Sequence, residues 1–129
     1  MNKILVEVSV GELMDKISIL EIKKDRIKDP DKLKFLNDEY EVLKNELEKN
    51  IKIDEKLTKF FVALKNVNSK LWIIEDDKRK CEKEKDFTEN FIKLSRDVHF
   101  LNDKRAKIKL KINNYTGSKI KEIKEYTSY

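Results

Sequence analysis

The chain has little to make turns with: two glycines and one proline in 129 residues. A fold of many short strands needs turn residues at close intervals, so a β-rich architecture is excluded. Two glycines also cannot build a loop that cradles phosphate through its backbone. One cysteine, Cys81, and one histidine, His99, rule out an internal disulfide and any Cys/His metal cluster, and no metal or other cofactor is expected. No apolar run approaches the ~20 residues that span a bilayer, and residues 1–7 lack a signal-peptide stretch. A soluble, cytoplasmic protein with no membrane partner is therefore expected.

What is present is charge and period. Charged residues make up 43% and hydrophobic ones 39% of the chain, the balance of helices with one wet face and one dry face. Apolar residues recur at alternating steps of three and four. Leu33, Leu36, Tyr40, Leu43 and Leu47 form one run, Leu57, Phe61, Leu64, Leu71 and Ile74 a second, and Phe91, Leu94, Val98, Leu101, Ile108 and Ile112 a third. Each set lies on one stripe of an α-helix, which must be covered by another helix.

Boundary signals divide the chain. Ser9 and Glu12 have capping-box spacing, with Val8 and Leu13 placed as a hydrophobic staple, and Val10, Leu13, Met14, Ile17, Leu20 and Ile27 follow along one face. Asp29-Pro30 restarts the chain, Asp54 caps the third helix, Asp86 and Glu89 repeat the capping box, and Gly117 ends the fourth. The expected fold is all-α: an antiparallel bundle of four main helices at 9–28, 30–49, 54–85 and 87–115, forming a single domain over 1–129. Residues 1–8 are an extended segment and 117–129 a tail, in which Ile120, Ile123, Tyr126 and Tyr129 have the spacing of a short helix folded back on the core. The first two helices, about 28 Å long, cannot cover a third of about 45 Å, so part of the hairpin of helices three and four projects. Residues 3–8, Lys-Ile-Leu-Val-Glu-Val, read as one strand, which needs a helical groove, the C-terminal tail or the same segment of a second copy.

Formal net charge is +5, and residues 100–129 hold eight of the 30 basic but only three of the 25 acidic residues. Lys104, Lys107 and Lys111 share a face there and are the candidates for polyanion contact. Against that, lysine outnumbers arginine 26 to four, few aromatics interleave, and no nucleic-acid motif appears, so a solvated helix face is the plainer reading.

Arg105 takes a position in the run from Phe91 to Ile112 where a hydrophobe would continue it. A guanidinium among apolar side chains needs a carboxylate, and Glu75 and Glu21 are its expected partners. Asn68 and Asn102 flank the same stripes. Two readings follow: a polar lock that sets helix register, or a pocket in which Arg105, Lys109 and Lys24 hold an anion while Glu21 or Glu75 positions a hydroxyl or proton. His99 and Asp103 share a face and read as a surface pair. Cys81, beside Lys80, Glu82 and Lys83, is expected on a wet part of its helix. Trp72 lies in the most apolar part of helix three.

Val8-Ser9-Val10-Gly11-Glu12-Leu13, Asp15-Lys16-Ile17, Ile19-Leu20-Glu21-Ile22-Lys23, Leu71-Trp72 with Ile74-Glu75-Asp76, Asn102-Asp103 with Arg105-Ala106, and Gly117-Ser118 resemble a family of small uncharacterised helical proteins from bacteria and phages. That family has no established activity to carry over. The resemblance implies that Gly11, Asp15, Lys16, Glu21, Glu75, Asn102, Asp103 and Arg105 belong to one motif set, so that helices one, three and four converge on a polar site. No catalytic motif is identifiable. The expected function is a helical protein-interaction or scaffold module that self-associates or binds another protein. A helical-bundle enzyme or small-anion binder around Arg105, Glu75 and Glu21 is the alternative, and polyanion binding the next.

Overall fold

The computed structural model describes residues 3–119 and 127–129. They form four helices: α1 (Val10–Arg26), α2 (Pro30–Asn50), α3 (Glu55–Glu84) and α4 (Glu89–Thr116), with no strand among the described residues. The all-α bundle read from the periodicity is the observed architecture. Ile120, Ile123 and Tyr126, the core of the expected C-terminal helix, lie outside the described residues.

Local chemistry sets most boundaries. Asp29 accepts the Asp31 amide at 3.0 Å with Pro30 beginning α2, and Asp54 accepts the Leu57 amide at 2.8 Å. Each satisfies an amide that the first helical turn leaves unpaired. Gly117 ends α4 at φ 68°, in the left-handed region that glycine enters without a side-chain clash. The start of α4 differs from expectation. Asp86 does not cap it; its carboxylate takes the Thr88 amide at 3.1 Å and hydroxyl at 2.5 Å, bracing the hairpin loop, and the helix begins at Glu89 behind Thr88. Lys85, also left-handed at φ 58°, closes α3 with its amide on the Cys81 and Glu82 carbonyls.

α1 is the central element. α2, α3 and α4 each pack against it, α3 and α4 also pack on each other as an antiparallel hairpin, and α2 approaches α1 alone. The core joins Met14, Ile17 and Leu20 of α1, Tyr40 and Leu47 of α2, Leu57, Leu64, Val67 and Leu71 of α3, and Ile108 and Ile112 of α4. All the α3 contributions precede Trp72 and the fully buried α4 ones follow Lys107. At 17 residues, α1 is about 26 Å long against about 45 Å for the 30 residues of α3. The far half of the hairpin therefore stands beyond the three-helix junction, and between residues 72 and 107 Cys81 is the one buried side chain.

Cys81 is thus not on a wet face: it is 4% exposed, beneath the first turn of α4, with the Asn90 amide 3.7 Å from Sγ. Burial pushes its thiol upward from the usual range. Residues 3–8 carry no regular secondary structure, pair with no strand among the described residues, and stay exposed. At the other end, the Tyr129 ring packs edge-on against Phe100, with centroids 5.2 Å apart, and its hydroxyl donates to Asp103.

Leu64 is fully buried where α3 meets the other helices. Leu64→Ala is expected to cost about 2–5 kcal/mol, read as a lower urea midpoint with an unchanged slope.

Candidate functional site

The N-terminus of α1 is built into the C-terminal end of α4. A helix start has four amides without intrahelical acceptors. Here the Val10 amide donates to Ser118 Oγ at 3.3 Å, Gly11 to Asn113 Oδ1 at 2.7 Å and Glu12 to Ser9 Oγ at 3.0 Å, and the regular ladder begins with Leu13 donating to the Ser9 carbonyl at 3.1 Å. Two of these three side-chain acceptors come from more than 100 residues away. Gly11 permits this approach: a Cβ there would lie 2.6 Å from the Lys109 carbonyl oxygen and 2.9 Å from Asn113 Oδ1. The capping box is half used. Ser9 caps, whereas the Glu12 carboxylate, rather than reaching back, takes Lys109 Nζ at 2.6 Å.

One turn further along α1, Asp15 is 1% exposed. Its Oδ1 accepts from Arg105 Nε at 3.0 Å and Asn68 Nδ2 at 2.8 Å, and its Oδ2 accepts the second arm of the same guanidinium. Lys109 Nζ stands 3.9 Å from Oδ2. Asn68 also donates to Ser18 Oγ at 2.8 Å, and that hydroxyl donates to the Asp15 carbonyl at 2.7 Å. Two acids, Glu12 and Asp15, thus meet two bases, Arg105 and Lys109, where α1, α3 and α4 join. Among the described residues, no buried side-chain nitrogen or oxygen lacks a hydrogen-bond partner. A bidentate guanidinium–carboxylate pair with its remaining lone pairs satisfied is the arrangement in which a buried charge is tolerated.

Arg105 does border the core, but its partner is Asp15 rather than Glu21 or Glu75. Glu21 accepts from the Tyr40 hydroxyl at 3.0 Å and Lys65 Nζ at 2.9 Å. It forms a second cluster with Lys44, which donates to the Tyr40 hydroxyl at 3.2 Å, and Lys24, which lies 3.9 Å above the Tyr40 ring. Lys24 and Lys109 are therefore not co-ligands: one covers an aromatic ring, and the other is 7% exposed and paired. Lys16 and Glu75 are exposed, and Asn102 is half-buried on α4. Asp103 receives the Tyr129 hydroxyl, so the expected His99 pairing is replaced by a tail contact. Lys104, Lys107 and Lys111 face solvent. Among the described residues, no three His, Cys, Asp or Glu side chains are grouped to hold a metal.

Ser18 and Asn113 belong to this junction and were not singled out from the sequence, while Glu12 was read only as part of a capping box and Ser118 only as part of the Gly117-Ser118 motif. A signal for them exists. Gly11, Asp15, Ser18 and Ile22 recur at steps of four, three and four, a second stripe on α1 beside Met14, Ile17 and Leu20, and all seven are buried. Two stripes on one helix mean burial on two sides. The small and polar residues of the second stripe do not register as a stripe when only large hydrophobes are followed.

Beside the junction opens a cleft of about 410 Å³. Ile22 and Leu71 lie in its lining, with Trp72, Glu75, Arg79 and Arg105 around them.

Asp15→Ala is expected to cost roughly 3–5 kcal/mol, because Arg105 and Asn68 lose their shared acceptor. Gly11→Ala, which would strengthen an isolated helix, is expected to destabilise the protein through the clash with the α4 backbone; both are read by urea unfolding. The second cluster gives a pH dependence. Burial raises the Tyr40 hydroxyl, the bond to Glu21 raises Lys65, and the bond to Tyr40 raises Lys44. All three shifts mean that the folded state holds its protons more tightly than the unfolded chain. Their stabilisation is complete below the unfolded values and is lost as pH climbs through the folded ones, from about pH 10 upward. Glu21→Gln is expected to flatten that alkaline decline in urea midpoint.

Neither a curated protein nor a solved structure matches the chain. A family model covers residues 4–129, nearly the whole length, and the chain belongs to that family, the family of unknown function DUF6165.

Proposed function

We propose that this chain is a helical interaction module that self-associates through its N-terminal segment. The observation that carries the reading is the exposure of Ile4, Leu5 and Val6, at 88%, 91% and 73%, just before α1. Burying one such side chain contributes about 1.5–3 kcal/mol, so three together in water represent a large unused driving force.

A second copy of the same segment is the occupant that the sequence fits. In an antiparallel pairing centred on Leu5, Lys3 stands opposite Glu7 at both ends, Ile4 opposite Val6, and Leu5 opposite its own copy. Ile4, Val6 and Val8 then share one apolar face. A two-stranded ribbon is marginal by itself and needs a surface to rest on. The projecting half of the hairpin supplies apolar candidates: Ile73, Phe87, Ile92 and Phe100 are each about half exposed, and Ile73 and Phe100 flank a shallow groove with Ile74 and Leu101. Between residues 72 and 100, seven basic residues accompany eight acidic ones, so copies meeting there do not face like charge. The exposure of Lys104, Lys107 and Lys111 on one face of α4 is what supports the polyanion reading, and it is equally the condition of a solvated helix face.

Light scattering on the eluting protein is expected to give twice the chain mass. Ile4→Lys with Val6→Lys is expected to give the monomer with an unchanged helical circular dichroism spectrum. Glu7→Lys alone is expected to weaken the dimer by setting lysine opposite lysine, and adding Lys3→Glu to restore it. A wild-type monomer at all concentrations, or a charge swap that restores nothing, overturns the reading.

A further inference from the structure

The distribution of arginine picks out the cleft between α1, α3 and α4. The chain uses lysine 26 times and arginine four times, and it has one tryptophan. Three of those four arginines lie around that tryptophan, two of them in the lining of its cleft. Arg26, in the last turn of α1, places its guanidinium carbon 5.8 Å from the Trp72 ring centroid, and Arg79 and Arg105 line the cleft that Trp72 walls. Where lysine is the default cation, arginine is retained where a planar fork or a stacking surface matters. Arg105 has such a use in its bidentate grip on Asp15. Arg26 has one in its contact with the Trp72 ring, whereas Arg79 has no such use within the fold: it is exposed, and among the described residues it forms no ion pair.

The remaining lining suits a small molecule. Ile22 and Leu71 are buried, at 4% and 9% exposure, and give an apolar floor, while the half-buried Trp72 offers a flat wall. The volume of about 410 Å³ falls within the roughly 300–1,000 Å³ of small-ligand sites. Glu75 and Asp76 stand at the same opening and are acceptors for hydroxyl groups. With one guanidinium outside any ion pair of the described residues, an aromatic wall and two acids together, a bare anion satisfies only part of the site. A ring with hydroxyls that also carries a phosphate satisfies all of it: ring face on Trp72, hydroxyls to Glu75 and Asp76, phosphate oxygens to the fork of Arg79.

We propose that the Trp72 cleft is a binding site for a phosphorylated, hydroxyl-bearing ring compound, of the sugar phosphate or nucleoside monophosphate class. The site is independent of the N-terminal segment and stands whether or not the chain self-associates.

Trp72 is the sole tryptophan, so its fluorescence reports on the cleft directly. The full chain is titrated with glucose 1-phosphate, uridine monophosphate, the unphosphorylated parents of both, and inorganic phosphate. A saturable change is expected with at least one ring phosphate, with binding at least about tenfold tighter than its parent or inorganic phosphate; which of the two binds names the ring. Arg79→Lys, which keeps the charge and removes the fork, is expected to weaken that binding at least about tenfold with no change in melting temperature. Arg96→Lys, at the fourth arginine, is expected to leave it unaltered. No saturable change with either ring phosphate up to about 10 mM overturns the proposal, as does inorganic phosphate binding equally well, or an Arg79→Lys variant that binds as the wild type does.

Discussion

A single carboxylate organises this bundle. Asp15 is almost wholly removed from water and lies where three helices meet, and each of its oxygens faces a cation or an amide supplied by a helix other than its own. Leaving such a group unpaired is far more costly than failing to form it, so the partners are coupled: Arg105 fixes the height of α4 against α1, and Asn68 fixes that of α3. Hydrophobic stripes slide past one another at modest cost, because one leucine is much like the next. Forked hydrogen bonds do not slide, and they convert a pattern of oily faces into one register.

The same junction explains why the chain ends are not interchangeable with other helix termini. The first amides of α1 depend on Asn113 and Ser118 at the far end of α4, and their reach is possible only because Gly11 has no side chain to hold the helices apart. Capping, usually a local affair, is here a tertiary contact that closes the fold from its beginning to its end. α1 is consequently surrounded, whereas α2 touches α1 on one side and buries only Tyr40 and Leu47. Stability is concentrated on one side of the molecule. It thins along α2 and along the projecting hairpin, where Cys81 is the one buried side chain between residues 72 and 107.

Charge is divided by task. Lysine covers the solvated faces and closes the Glu21 cluster, where a mobile ammonium meets a carboxylate and an aromatic ring. Three of the four arginines stand where geometry counts, at Asp15 and around Trp72. The structural lock and the open cleft share Arg105 and Asn68, so whatever occupies the cleft lies against the groups that set helix register.

Helix number, helix length and the projecting hairpin were legible in the residues, because period, caps and chain rise are local properties that hold in any tertiary setting. The position of Arg105 at the edge of the core and the involvement of Asn68 were legible for the same reason: each interrupts a stripe. Which carboxylate would meet Arg105 was not. Glu21, Glu75 and Asp15 all sit beside apolar neighbours in sequence, and only the angle at which α1 enters between α3 and α4 selects Asp15 and turns Glu21 toward Tyr40 and Lys65. Cys81 was misplaced by its charged neighbours, since a helix shows one face to its partner whatever flanks that face in sequence. The sequence by itself determined which surfaces must leave water. The tertiary structure decided which polar groups go with them, because a hydrogen bond depends on distances between helices, and no spacing along one helix contains those.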